Sequence, residues 1–106
     1  MKLPKTISIA GHRVKLKFVL LDDCYGQYKH DCKVIEINTA IRDTSECLTT
    51  IRHEMMEAAL LISGVGFSER YEQEPIVRCM EDVFFPAWDS FVKRLADDVV
   101  RKASHK

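Results

Sequence analysis

One short run in this chain carries side chains that can do chemistry together: Thr49-Thr50-Ile51-Arg52-His53-Glu54-Met55-Met56-Glu57. On a helix, residues i and i+4 leave the same face about one turn apart, so His53 and Glu57 can hold one metal ion between them. Glu54, beside the first of these, swings toward the same ion from the flank. There it can take a proton from a metal-bound water, acting as general base and later as proton donor in attack on a carbonyl. A third ligand has to come from elsewhere. Glu72 and Glu74 stand just before Pro75, and a second helix opening there and returning antiparallel brings either carboxylate back toward His53. Glu74 is preferred over Glu72 because it immediately precedes the proline and is more rigidly placed. Glu69 and Glu81 are weaker candidates.

The same spacing also describes an ordinary solvated helix face, on which a His–Glu pair at i, i+4 contributes a few tenths of a kcal/mol, roughly. Arg52 can pair with the carboxylates in that case. Cys24, His30 and Cys32 form a second group of metal-ligand types within nine residues, but their spacing matches no common zinc knuckle. They read more simply as a hairpin with two incidental cysteines. No CxxC pair occurs, and all four cysteines are expected as free thiols. The aromatic residues Phe84, Phe85, Trp88 and Phe91 are expected in the core, and His12 and His30 in turns.

The elements that must position these residues are legible in the hydrophobic pattern. Ile7 and Ile9 alternate within Thr6–Ala10, Gly11-His12 supplies a tight turn, and Val14, Leu16, Phe18 and Leu20 continue at period two. A second hairpin runs from Tyr25 to Lys29, turns near His30-Asp31, and returns over Lys33 to Asn38. From residue 44 the period changes to helical. Asp43 and Glu46 stand at capping-box spacing, and Leu48, Ile51, Met55, Ala58 and Ile62 form the core stripe of a helix over 44–63. His53 and Glu57 project nearly opposite that stripe. Gly64 and Gly66 stop the helix.

Pro75 fits the first turn of the last helix, over 75–102, and Val77, Met80, Phe84, Trp88, Phe91, Leu95 and Val99 give it a long apolar face. Pro86 inside it removes the bond to the Asp82 carbonyl, so a kink is expected there. The expected fold class is α+β: a small, mostly antiparallel sheet of about four strands over 6–38, followed by two long helices.

The order of these parts is distinctive. An opening sheet precedes a Thr-x-x-x-His-Glu-x-x helix that ends in small and apolar residues. A glycine break follows, then Glu74-x-x-Val77 opening a last helix. This layout, over roughly residues 6 to 95, resembles the minimal zincin-like metallopeptidase domains of the ImmA/IrrE type and many short phage or prophage proteins. The resemblance implies a zinc-dependent peptidase in which His53 ligates the metal, Glu54 polarises the catalytic water and Glu74 completes the site. Glu57 stands where such helices carry the second histidine of HExxH. A His-plus-carboxylate set is harder and more anionic, which makes Mn²⁺ or Fe²⁺ more competitive, acidifies water less, and leaves an empty site open. The resemblance therefore carries two expectations. One is a metal-dependent hydrolase acting on a peptide or protein, with substrate along the sheet edge. The other is a catalytically inactive zincin-fold protein that binds and modulates another protein.

Composition bounds the partners. The 106 residues carry 16 Lys+Arg against 16 Asp+Glu, a formal net charge of zero. That is enough for one domain, and the balance argues against a nucleic-acid partner, whose binders are usually basic. Lys and Arg dominate the first hairpin, whereas Glu54, Glu57, Glu69, Glu72 and Glu74 gather around the candidate site. No apolar run approaches the ~20 residues of a membrane span. Met1-Lys2-Leu3-Pro4-Lys5 turns polar at once, so no membrane association and a cytoplasmic location are expected (the host cytoplasm for a phage-encoded chain). The long last helix offers a surface for homodimerisation.

Overall fold

The computed structural model describes residues 3–64, 76 and 79–104, with the side chains of 97–104 excepted. Four strands open the chain: β1 (Thr6–Ile9), β2 (His12–Val19), β3 (Gly26–Lys29) and β4 (Val34–Asn38). They form one sheet in the order β1-β2-β4-β3. Both hairpins are antiparallel, but β2 and β4 pair in parallel, with Leu16 beside Ile35 and Phe18 beside Ile37. The sheet is thus mixed and mostly antiparallel, with β3 at one edge. The first turn sits one residue earlier than the sequence implies. Ala10 and Gly11 both have positive φ, 49° and 79°, as a two-residue hairpin loop requires, and His12 already pairs with Ile9.

Helix α1 (Thr44–Ile62) follows the sheet. Asp43 caps it, its carboxylate accepting from the Ser45 N–H at 3.2 Å, and Gly64 at φ 85° closes the far end. Its C-terminal turn is tied to the last helical region by sulfur. The buried Cys79 thiol donates to the Ala59 carbonyl at 3.4 Å and lies 3.2 Å from the Ser63 hydroxyl. All four cysteines are free.

Helix α2 (Phe85–Ser104) is preceded directly by one π turn, Met80–Phe84. This is the form the Pro86 interruption takes. Proline has no N–H for the Asp82 carbonyl and its ring crowds that oxygen, so the chain widens by one residue just before it. The Phe85 N–H accordingly reaches back to Met80 O. The start expected at Pro75 lies outside the described residues, and α2 runs two residues past the expected end.

One face of the sheet is covered. Ile7, Ile9, Val14, Leu16, Ile35 and Ile37 pack against Ile51, Met55, Ala58 and Ala59 of α1 and against Phe84, Ala87 and Phe91. Phe85 departs from the expected core set: it is 50% exposed. The opposite face presents Arg13, Lys15, Lys17 and Lys29 around Glu36. The Glu36 carboxylate accepts from Gln27 Nε2 at 2.6 Å and meets Lys29 Nζ at 3.1 Å. These bonds hold its pKa below the usual carboxylate value. Helix α2 also reaches across to the first strand, where Arg94 Nη1 donates to the Thr6 carbonyl at 2.9 Å. Among the described residues, no helix is long and apolar enough to cross a membrane.

Candidate metal centre

Helix α1 lies across β4 and the edge strand β3. Its approach to β3 is set by a glycine. A Cβ on Gly26 would stand 2.9 Å from Thr50 Cγ2, 3.2 Å from Glu36 O and 3.3 Å from Glu54 Cγ. Only a residue without a side chain lets the helix come this close. The consequence falls on Glu54, whose stem rests on the strand backbone.

Glu54 is 4% exposed, although its neighbours Arg52 and His53 are open to solvent. Helix arithmetic accounts for the depth. Position 54 lies three residues after Ile51 and four before Ala58, both fully buried, so it occupies the flank between the core stripe and the polar face. Its Oε1 is buried with no hydrogen-bond partner. Burial first, then a side-chain hydrogen bond with Glu57 and the charge of that carboxylate, push its pKa up to about 8. An interior carboxylic acid with an orphaned oxygen is uncommon, because burying an unsatisfied polar group costs about 1–3 kcal/mol.

The structure brings three of the expected residues together. Ligand atoms of His53, Glu54 and Glu57 all lie within 4.8 Å of one another, and this group could hold a metal ion. His53 and Glu57 are exposed, whereas Glu54 is fixed from below. Tetrahedral ligands at typical zinc distances stand about 3.4 Å apart, and the two exposed side chains are the ones free to close the difference. The orphaned oxygen and the donor set of one imidazole and two carboxylates both suit a divalent cation. The burial of Glu54 goes beyond the flanking position read from the sequence.

Among the described residues, none of the other candidates joins this group. Glu69, Glu72 and Glu74 lie outside the described residues. Glu81 is exposed on the π turn. Cys24, His30 and Cys32 form no such cluster among the described residues. His30 instead shares a 3.0 Å hydrogen bond with the Tyr28 hydroxyl.

A further residue organises the approach to the site. Asn38, 8% exposed at the end of β4, donates through Nδ2 to the Leu21 and Cys24 carbonyls, both at 2.9 Å. Its Oδ1 accepts from the Ala40 N–H at 3.0 Å. It therefore fixes the connection that leads into β3. Only its place at the end of an apolar strand marked it in the sequence. Compared with known proteins, the chain matches no family model, no curated protein and no solved structure.

Proposed function

We propose that this protein is a metal-dependent hydrolase acting on peptide bonds, with its cation held on helix α1. The observation that carries this reading is the orphaned Glu54 Oε1, buried within reach of ligand atoms from His53 and Glu57. A divalent cation would satisfy that oxygen and offset the repulsion between the two carboxylates. Zn²⁺ is the cation the resemblance implies, and the carboxylates widen the choice to Mn²⁺ or Fe²⁺. When bound, it supplies Lewis acidity, polarising a carbonyl and acidifying water.

The chain's own residues divide the remaining work. His53 and Glu57 would hold the cation, and both side chains are exposed to solvent. Glu54 lies close enough to join them or to move the proton. The resemblance assigns it the second role, with Glu74 as the remaining ligand. Its seat on Gly26 keeps the carboxylate aimed while the proton is taken up and returned. The carboxylate at position 57 favours a second reading, a zincin-like protein that has lost catalysis and binds another protein. A more anionic ligand set acidifies water less.

Metal analysis of protein purified without chelator or a histidine tag tests both. The hydrolase reading expects about one equivalent of zinc, manganese or iron, and a Tm that rises on adding the cation. Glu54→Gln should retain the metal and lose hydrolysis of an unfolded protein substrate, and Glu57→His should bind zinc more tightly. Metal without hydrolysis in the wild type supports the second reading. No metal and an unchanged Tm overturn the metal centre itself.

A further inference from the structure

Two recesses lie side by side just before the metal group, and they share one residue, Tyr25. The first, about 230 Å³, is lined by Tyr25, Ile41, Ser45, Glu46, Thr49 and Thr50. The second, about 350 Å³, is lined by Asp22, Asp23, Cys24, Tyr25 and Asn38. Drug-sized ligands occupy pockets of roughly 300–1,000 Å³, so the first recess suits a single apolar side chain.

Tyr25 itself is 68% exposed, yet its backbone is fixed, because the Asn38 N–H donates to its carbonyl at 2.8 Å. It is a large aromatic ring held out on a rigid mount between an apolar cleft and an acidic one. Asp22, Asp23 and Glu46 form no ion pair among the described residues. Among the described residues, no Lys, Arg or His lines either recess. A cation between Tyr25 and Asp22-Asp23 would meet both a ring face and opposite charge.

We propose that the recesses flanking Tyr25 form a recognition subsite for a polypeptide segment in which an apolar residue adjoins a Lys or Arg. The apolar side chain enters between Ile41 and Thr49, and the basic one crosses Tyr25 toward Asp22 and Asp23. That the ligand is a polypeptide rests on the hydrolase reading, and the position of the cleft fits it. Thr49 and Thr50 precede His53 and Glu54 by one helical turn, about 6 Å. An extended chain covers that distance in about two residues. The residue held in the cleft therefore lies about two places from the bond presented at His53 and Glu57.

Four short peptides test this, carrying Leu-Lys, Leu-Glu, Ser-Lys or Ser-Glu in an otherwise Gly/Ser background. Each is titrated against the full chain in EDTA, and the amide shifts of Tyr25, Ser45, Thr49 and Thr50 are followed by NMR. The Leu-Lys peptide should bind tightest. Loss of the apolar side chain should weaken binding on the order of tenfold, and reversal of the charge roughly fivefold. Thr49→Phe plugs the cleft from an exposed position and should abolish the preference for Leu. Tyr25→Ser should weaken Leu-Lys binding and reduce the preference for Lys, leaving the part due to Asp22 and Asp23, and it serves independently if the first variant folds poorly. Equal shifts for all four peptides, no shifts at all, or Leu-Lys binding unchanged in both variants would overturn the subsite. Because EDTA removes any cation, these outcomes stand apart from those of the metal analysis.

Discussion

Helix α1 meets the sheet in two chemically different ways. Toward β1 and β4 it lays down Ile51, Met55 and Ala58, all fully buried against Ile7, Ile9, Ile35 and Ile37. Toward β3 it lays Glu54 on Gly26, a carboxylate on bare backbone. The first contact gains its closeness from complementary side-chain volume and leaves nothing unsatisfied. The second gains it from a missing side chain, and it leaves a polar atom without a partner. A fold accepts such a local deficit when the neighbouring apolar contact carries the stability, and deficits of this kind concentrate where binding happens. The two contacts can therefore be perturbed separately.

The largest separable effect is expected in the apolar region. Phe91→Ala should destabilise the protein by about 3–5 kcal/mol in chemical denaturation, with cation affinity unchanged wherever the variant remains folded. A parallel loss of affinity would show that the regions do not act apart. The next effect belongs to Glu54. Folded, it keeps its proton up to about pH 8, whereas unfolded it releases it near its ordinary 4.5. The folded state binds more protons in that window, so this group's contribution is complete below about pH 4.5 and is lost as pH rises toward 8. In EDTA the wild type should lose about 2–4 kcal/mol across this range, while Glu54→Gln should remain level. A level wild-type profile would mean that Glu54 ionises freely.

The smallest effect sharpens the geometry of the second contact. Gly26→Ala should cost about 1–3 kcal/mol through overpacking and slow hydrolysis by displacing Glu54. Adding Thr50→Ser removes the methyl that crowds the new Cβ at 2.9 Å, and it should restore part of both losses. Stability and hydrolysis that ignore Gly26→Ala would show that the close approach does not position the carboxylate.

The sequence made the apolar contact legible because it is periodic. Val14 and Leu16 mark β2, and Ile51, Met55 and Ala58 mark the buried stripe of α1, each by spacing alone. The capping Asp43 and the closing Gly64 bound the helix for similarly local reasons. The parallel pairing of β2 with β4 is not local. It depends on the 20–25 connection crossing over so that β3 becomes the edge, and Asn38 holds that crossing through hydrogen bonds spanning 14 and 17 positions. The convergence of His53, Glu54 and Glu57 followed from helix spacing. The burial of Glu54 required knowing that a glycine in another strand lies beneath it. A π turn, rather than a simple bend, before Pro86 was likewise beyond pattern reading, since it reflects how the backbone resolves a clash.

The bond from Arg94 to Thr6 spans 88 positions, and it bears on how the molecule assembles. Strand β1 is synthesised well before α2, the helix that packs on it and supplies this guanidinium. At ribosomal rates of about 5–20 residues per second, the two are separated by roughly 4–18 seconds. During that interval the emerging hairpin lacks part of its cover over Ile7 and Ile9, which α2 supplies. The first hairpin is therefore the stretch most in need of protection until α2 has emerged.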